Sequence, residues 1–593
     1  MESVDLVVIG SGWHGLVAAK TYLEVNPTAA VVVVEAESSI GGVWARHRLY
    51  KGLKSNNLLG TYEYSDFPMD EDTFGVKSGE HIPGDVVHAY LVKYTEHFGF
   101  ADRIRLNSRV ESAERQPDGS WLLTIASSAP SSTALHTRKL IVATGMTSQP
   151  FLPDFQGQDS FDAPLFHCRK LRNYETEVLQ QGKRATIFGG TKSAWDAAYA
   201  CAISGVQVDW IIRESGHGPT WMAPPYVTPL RKWLEKLVTT RFLTWFSPCV
   251  WGDADGFAGI RRFLHGTWLG RKIVDAFWGI LAKDVIQLNG YDKHPETKKL
   301  KPWFSPFWVA SGLSIFNYPT DIFDYVRDGT IKVHIADVTH VSPKTVHLST
   351  GEALPSDALI CCTGWKSTPP LKFLPEGIDR ELGLPWSPDV LDEELVKDAD
   401  EEILRRFPRL RDQPASNPRY KPLSSNAAAE APHPFRLMRF MVPPGMIQDR
   451  SIVFLGITMT INVSIIAQTQ ALWATAYLDD KLDVKPAVTR SVASKAADPD
   501  PDPDSDLQWE TAMHTQFGKW RYPGGFGRQH PDFVFDAIPY VDLLLTDLGL
   551  RAHRKRGRLA EMFEPYGPED YRGIVNEWRQ KTDREGEREI VNG

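Results

Sequence analysis

The chain has 593 residues, 42% of them hydrophobic and 24% charged, enough for a large core and two or three domains. Its net charge of −8 excludes a general affinity for nucleic acid. Its five cysteines, Cys168, Cys201, Cys249, Cys361 and Cys362, carry no metal or redox spacing. No signal peptide opens the chain, and no run approaches the ~18 apolar residues of a membrane span, so a reducing, cytoplasmic setting is expected.

The apolar run Leu6 to Ile9 leads into Gly10-Ser11-Gly12-Trp13-His14-Gly15 and a small-residue helical segment, and a second apolar run, Val31 to Val34, ends on Glu35. This is the order of a dinucleotide-binding βαβ unit. Gly10 allows the tight turn, Gly12 lets the backbone approach a pyrophosphate, and Gly15 lets the helix pack on the sheet. The helix N-terminus offers free N–H groups and partial positive charge to phosphates. Glu35 stands where a ribose diol needs an acceptor.

Residues 84–98 carry apolar Val87, Leu91 and Tyr94 at helical spacing, and two strands flank the turn at Pro117-Asp118-Gly119. The strand Leu140-Ile141-Val142 ends in Ala143-Thr144-Gly145. A second dinucleotide unit starts with the strand Ala185 to Phe188, which enters Gly189-Gly190-Thr191-Lys192-Ser193-Ala194 and a helix through Ile203. Thr191 occupies the second glycine position and Ala194 the third. The strand Val208 to Ile212 ends on Arg213, which suits a 2′-phosphate and so favours NADPH over NADH, the plainer reading being a solvated strand-end charge.

Residues 216–320 hold Trp221, Trp233, Trp245, Trp251, Trp268, Trp278, Trp303 and Trp308 and look inserted within the second unit. The aromatic richness reads as an apolar pocket, as a membrane-surface face giving peripheral contact, or as ordinary core. Ala358 to Cys362 then repeats a strand ending in Thr363-Gly364, as if the chain crossed between the two units twice. A strand at Ile452 to Leu455, a helix at Val463 to Tyr477, an Asp-Pro linker over 484–506 and an amphipathic run from Tyr540 to Leu550 follow. The last part carries no catalytic signature and reads as packing on the core or an interface.

At this point the sequence resembles the two-dinucleotide flavin-containing monooxygenases, over about residues 1–480. Gly41-Gly42-Val43-Trp44 resembles the segment that lies along the flavin. Tyr50 to Pro68 resembles the family's Tyr…Asn…Asp-Phe-Pro segment, with Asn56 at the position near the flavin ring and the nicotinamide. Phe155-x-Gly157-x-x-x-Phe161, then Phe166-His167, is similar to the family signature, with Ala163 replacing its glycine. No Trp-Pro follows His167, as it does in Baeyer–Villiger enzymes, and Leu171 stands where N-oxygenating members carry an aromatic. The insert and C-terminal part look like those of fungal secondary-metabolism relatives.

The resemblance implies an α/β fold with two Rossmann-like domains, for FAD and NADPH, a helical insert and a C-terminal extension. The implied division is an FAD domain in two parts (1–165 and 336–483), an NADPH domain (166–335, insert about 216–320), the linker 484–506 and the extension 507–593. The implied chemistry is insertion of one oxygen from O2 into a small apolar, secondary-metabolite-like substrate through a C4a-hydroperoxyflavin, with Baeyer–Villiger or N/S-oxygenation as alternatives. Asn56 is the expected catalytic residue. Gly10, Gly12, Gly15, Glu35, Gly42, Val43, Trp44, Asn56, Val110, Thr144 and Gly145 are expected at the cofactors, with Gly189, Thr191, Ser193, Arg213, Thr363 and Gly364. His167 is either catalytic or orients the linker between domains. Two other classes stay open: a disulfide oxidoreductase using Cys361-Cys362, and a non-catalytic binding module.

Overall fold

The computed structural model describes residues 2–126, 133–227, 232–366, 368–423, 432–487, 505–524, 527–528 and 530–592. Two sheets carry the architecture. In the first, Glu2–Ile9 lies between Val31–Val34 and Thr133–Val142, parallel to both, with Leu6 opposite Val31 and Ile9 opposite Val142. Leu6, Val7 and Val8 are wholly buried. A continuous apolar run, with no polar alternation, is what a parallel strand covered on both faces requires. Ile104–Arg105 extends one edge, the antiparallel strands Arg109–Arg115 and Trp121–Ala126 extend the other, and Ile452–Phe454 returns to pair with Thr133–Val142.

The second sheet is all parallel, in the order Ile331–Ile335, Gln207–Ile212, Arg184–Phe188, Ala358–Cys361, Leu165–His167. This differs from the division expected at residue 335, because Ala358–Cys361 belongs to the second unit, not the first. A short apolar strand is equally at home in either sheet, so composition cannot say which one it joins.

Helix Trp13–Val25 packs between the first sheet and helix Val463–Leu478, where every residue from Ser464 to Leu478 is buried. A helix apolar all round is a core helix. In Ala537–Asp547 the residues from Ala537 to Leu545 are likewise all buried, and the run from Tyr540 to Leu550 packs on the core with Thr546 and Gly549 exposed. Most of the expected linker, 488–504, lies outside the described residues, and its last two positions already belong to helix Ser505–Arg521.

The Trp-rich insert shares one core with the first unit and the C-terminal extension. Trp251 meets Phe517 and Phe533 of the extension edge-on, and Trp278 meets Phe535. Trp221, Trp245, Trp251, Trp278 and Trp308 are buried, and Trp268 is 68% exposed. None of the eight lines the main cavity, so the aromatic-pocket reading gives way to core packing. Among the described residues no helix is long and apolar enough to cross a membrane.

Buried charges lock the extension to the insert. Arg241, fully buried, pairs with Asp542 and with Glu561 (Nε to Oε1, 2.5 Å). Burial pushes Asp542 up to about 6 against the opposing pull of Arg241. Arg439 likewise pairs with Asp547 (2.7 Å) and Glu510. Removing one partner of such a pair strands the other charge in the interior. Arg241→Ala is therefore expected to destabilise the fold by about 3–5 kcal/mol, read as a lowered denaturant midpoint with earlier proteolysis within 537–571. A loss below about 1 kcal/mol would show that the pair is solvated.

Candidate active site

The first strand delivers its C-terminal end to a crowded backbone crossing. Gly10 has φ +105°, and a Cβ there would lie 2.4 Å from the carbonyl oxygen of Ala143. A Cβ on Gly15 would lie 1.9 Å from the Gly10 carbonyl oxygen, so Gly15 sets how closely the helix approaches and does not itself line the cavity. Gly12 faces Gly42, which has φ +60°, and a Cβ on Gly42 would come within 3.2 Å of the Gly12 Cα. Together these absent side chains leave bare backbone at the N-terminus of helix Trp13–Val25.

A cavity of about 630 Å³ opens there. Of the expected residues, Gly10, Gly12, Glu35, Gly42, Val43, Val110, Thr144 and Gly145 line it. Asn56 lines it as well. Glu35 is held in place: Ser11 donates to its Oε2 from N (2.9 Å) and Oγ (2.6 Å), and Glu37 N–H donates to Oε1 (3.0 Å). Trp44 stands behind the lining, its Nε1–H donating to Tyr62 Oη at 2.9 Å, and Tyr62 faces the cavity.

Three features fit a bound dinucleotide. Four buried polar atoms on residues lining the cavity, Trp13 Nε1, His14 Nε2, Arg169 Nε and Thr458 Oγ1, have no hydrogen-bond partner among the described residues. Burial holds His14 near 4, hence neutral. Three guanidinium-bearing residues, Arg48, Arg109 and Arg169, line the cavity, the last paired with Glu37 at 2.6 Å. Burial, then the neighbouring Arg169, bring Arg48 down to about 10. The bare Gly12–Gly42 backbone is the third, a cradle that side chains would fill.

Asn56 sits on strand Lys54–Leu58, which is gripped from two sides. Glu235, from the insert, accepts from Leu58 N–H (2.8 Å), Trp233 Nε1–H (3.0 Å), Thr61 Oγ1–H (3.3 Å) and Asn57 Nδ2–H. Burial pushes Glu235 up to about 7, opposed by these donors. On the other side Asn317 Nδ2–H donates to the Lys54 carbonyl (2.9 Å), and its Oδ1 accepts from Lys192 Nζ (3.0 Å). Lys192 opens the helix of the second unit, so this bridge joins the second glycine loop to the Asn56 strand.

The lining also takes apolar Leu313, Met459, Ile461, Val463 and Val534, interleaved with polar Ser311, Ser314, Thr458 and Thr460. Ser311, also on the wall, donates to Asp532 Oδ2 from N (2.9 Å) and Oγ (2.5 Å). Burial pushes Asp532 up to about 7, and its Oδ1 has no hydrogen-bond partner among the described residues. The extension, which shows no catalytic signature in sequence, thus supplies Val534 and the support of Ser311.

In the second unit, Gly189 has φ +141°, and a Cβ there would lie 2.3 Å from the Cys362 carbonyl oxygen. A Cβ on Gly190 would lie 2.7 Å from the Gly218 carbonyl oxygen. Thr191 is the exposed N-cap of helix Lys192–Ile203, with φ −89°, a conformation that threonine adopts without strain. Ser193 lies in the first helical turn. Arg213, partly exposed, donates to the Lys421 carbonyl (3.1 Å) and to Ser215 Oγ (3.3 Å), and burial lowers its pKa.

Thr363 and Gly364 lie outside the main cavity. Thr363 Oγ1–H donates to the Phe151 carbonyl, and the Gly364 carbonyl accepts from Phe151 N–H (3.0 Å) and His167 Nε2–H (2.9 Å). His167 therefore ties the crossover between the units. Cys361 and Cys362 belong to different apolar clusters, on opposite faces of the second sheet, so the adjacent pair does not form a redox dithiol.

A family model described as pyridine nucleotide-disulphide oxidoreductase matches residues 7–242. The FAD-dependent monooxygenase resA of Aspergillus sclerotiorum is 35% identical, across 97% of this chain and 98% of that one. The FAD-dependent monooxygenase DEP4 of Alternaria brassicicola is 31% identical, across 98% and 95%. Among solved structures, the open crystal structure of cyclohexanone monooxygenase shares the fold with a TM-score of 0.56 at 16% identity, over 93% of this chain and 99% of that one. S-allyl-L-cysteine S-oxygenase from Allium sativum does so with a TM-score of 0.50 at 14% identity, over 98% and 99%. The full-length identity to the fungal enzymes carries the assignment: the chain belongs to the family of FAD-dependent monooxygenases.

Proposed function

We propose that the main cavity holds FAD, that the second glycine loop holds NADPH, and that one atom of O2 is inserted into a small apolar substrate beside Asn56. The observation that carries this reading is the continuity of the cavity from Glu35 to Asn56, with the Lys192–Asn317–Lys54 bridge bringing the second loop to the same strand. FAD, when bound, supplies activation of O2 with electrons taken from NADPH.

The chain's own residues do the rest. Glu35, fixed by Ser11, accepts from ribose hydroxyls, and the bare backbone at Gly10 and Gly12 receives the pyrophosphate with Arg48 and Arg169 balancing its charge. Thr458 Oγ1 and His14 Nε2 gain the partners they lack. Arg213 meets a 2′-phosphate at the end of its strand, and Ser193 N–H and Oγ meet the second pyrophosphate. Asn56 offers an amide to the nicotinamide and the reacting oxygen. Leu313, Met459, Ile461 and Val534 exclude water from that end and receive an apolar substrate. Glu235 acts as a positioning residue, since it grips the backbone and side chain immediately beyond Asn56.

The direct test is spectroscopic. The purified protein is expected to be yellow, to bleach with NADPH without air, and to regain its colour when air is admitted, and a protein that carries no flavin would overturn the proposal. Asn56→Ala should raise the H2O2 released per NADPH consumed, whereas an unchanged ratio would make Asn56 structural. Arg213→Ala should raise the KM for NADPH roughly ten-fold or more and leave that for NADH nearly unchanged. Equal effects would remove its phosphate role.

Glu235 gives a pH signature. Its folded pKa, about 7, stands above the ordinary ~4.3 of glutamate, so the folded protein holds a proton that the unfolded chain releases. That stabilisation is complete below pH ~4 and is lost as pH rises through about 7. The thermal midpoint of wild type should therefore fall more between pH 6 and 8 than that of Glu235→Gln, which should also uncouple more NADPH. Parallel pH curves would show that Glu235 does not titrate there.

A further inference from the structure

The second sheet brings together two cysteines that lie far apart in sequence. Leu165–His167 and Ala358–Cys361 are parallel neighbours, with Ile360 opposite Phe166 and Cys361 opposite His167. Cys168 directly follows the first of these strands, opening a 3-10 turn, and Cys362 directly follows the second, so both leave the last paired residues at the same end of the sheet. Neighbouring strands are ~4.8 Å apart, inside the ~4.4–6.8 Å between Cα atoms that a disulfide spans. Both thiols are free, Cys362 is buried, and Cys168 is partly exposed.

The surroundings favour chemistry at Cys168. His167 Nδ1 lies 3.9 Å from its sulfur, and Cys362 and Ser193, the latter in the first turn of helix Lys192–Ile203, are close enough to act on it. The neighbouring Cys362 above all, then His167 and Ser193, hold the Cys168 thiol well below the usual thiol range, while burial pushes Cys362 up. A thiolate next to a helix N-terminus and a histidine is the reactive form. Cys362 in turn touches the glycine loop, because a Cβ on Gly189 would lie 3.1 Å from the Cys362 Cβ.

We propose that Cys168 and Cys362 form a peroxide-sensitive dithiol whose closure to a disulfide clamps the second glycine loop and weakens NADPH binding. This rests on the reading of that loop as the NADPH site. Hydrogen peroxide, the product of uncoupled turnover, is the oxidant. The Cys168 thiolate attacks one peroxide oxygen, the O–O bond breaks, and the departing hydroxide is protonated to water, leaving a sulfenic acid. The Cys362 sulfur then attacks the Cys168 sulfur, the S–S bond forms and the S–O bond breaks. A second water leaves with the Cys362 proton. The two thiols lose two electrons and the peroxide gains them. The enzyme would then slow its intake of reductant when too much of it escapes as peroxide.

The test treats the holoenzyme with graded H2O2, blocks the remaining thiols and maps peptides without reduction. A Cys168–Cys362 link is expected, together with a several-fold rise in the KM for NADPH that dithiothreitol reverses. Cys168→Ser should abolish both changes. Cys362→Ser should leave a sulfenic acid at Cys168 that dimedone traps, and Cys361→Ser should change neither response. A link through Cys361, oxidation of Cys168 without any link, or a link with an unmoved KM would each overturn the proposal. Peptide mapping needs no nucleotide, so a missing disulfide and a wrongly placed NADPH site give different results.

Discussion

Everything in this molecule that concerns a cofactor depends on backbone meeting backbone at the end of the first strand. Gly15 stands over the Gly10 carbonyl, and Gly10 over that of Ala143, at separations that no side chain tolerates. That contact brings the helix N-terminus, the strand end carrying Glu35 and the turn at Thr144-Gly145 around one cavity. The second unit repeats the device with different pieces. Gly189 rests on Cys362, and Gly190 on Gly218. In both, the glycine pattern records a steric demand, and so it is visible locally in sequence.

Thr191 shows where the pattern is looser than its consensus. At an exposed helix N-cap with φ −89° the backbone needs no left-handed freedom, so threonine replaces glycine without strain. The real steric need has moved to Gly190, which the G-x-G-x-x-G template does not weigh. Strands and helices near the loops were legible because each announces itself within a few residues. The sheet to which Ala358–Cys361 belongs was not, since pairing partners lie about 170 residues away in sequence, as Ala185 opposite Ala358 illustrates.

The insert and the extension were the least legible parts, for the same reason. Read alone, eight tryptophans over a hundred residues invite a pocket or a membrane face. In the fold, five of them are buried, and two of these, Trp251 and Trp278, pack against aromatic residues that the extension supplies from beyond position 500. The arginines buried with them, Arg241, Arg439 and Arg521, would be prohibitive in isolation. Arg241 and Arg439 meet carboxylates, and Arg521 stacks on Phe307 at 4.3 Å and on Tyr522 at 4.4 Å. Both halves of each contact must be present before either is tolerable inside. The extension is for that reason part of the core and not an appendage.

This arrangement explains why the cofactor was readable and the substrate was not. Residues that would hold FAD come from segments whose geometry is dictated by the dinucleotide itself, a ligand shared by many proteins. Other parts of the lining come instead from Ser311 and Leu313 in the insert, Met459 and Ile461 after the returning strand, and Val534 in the extension. Glu235 reaches the Asn56 strand across 177 positions of sequence, and Asp532 reaches Ser311 across 221. None of these residues belongs to a motif, because each is meaningful only through a partner elsewhere in the chain. Changes in the insert or extension can therefore reshape this part of the cavity wall and leave Glu35, Gly12 and Gly42 undisturbed.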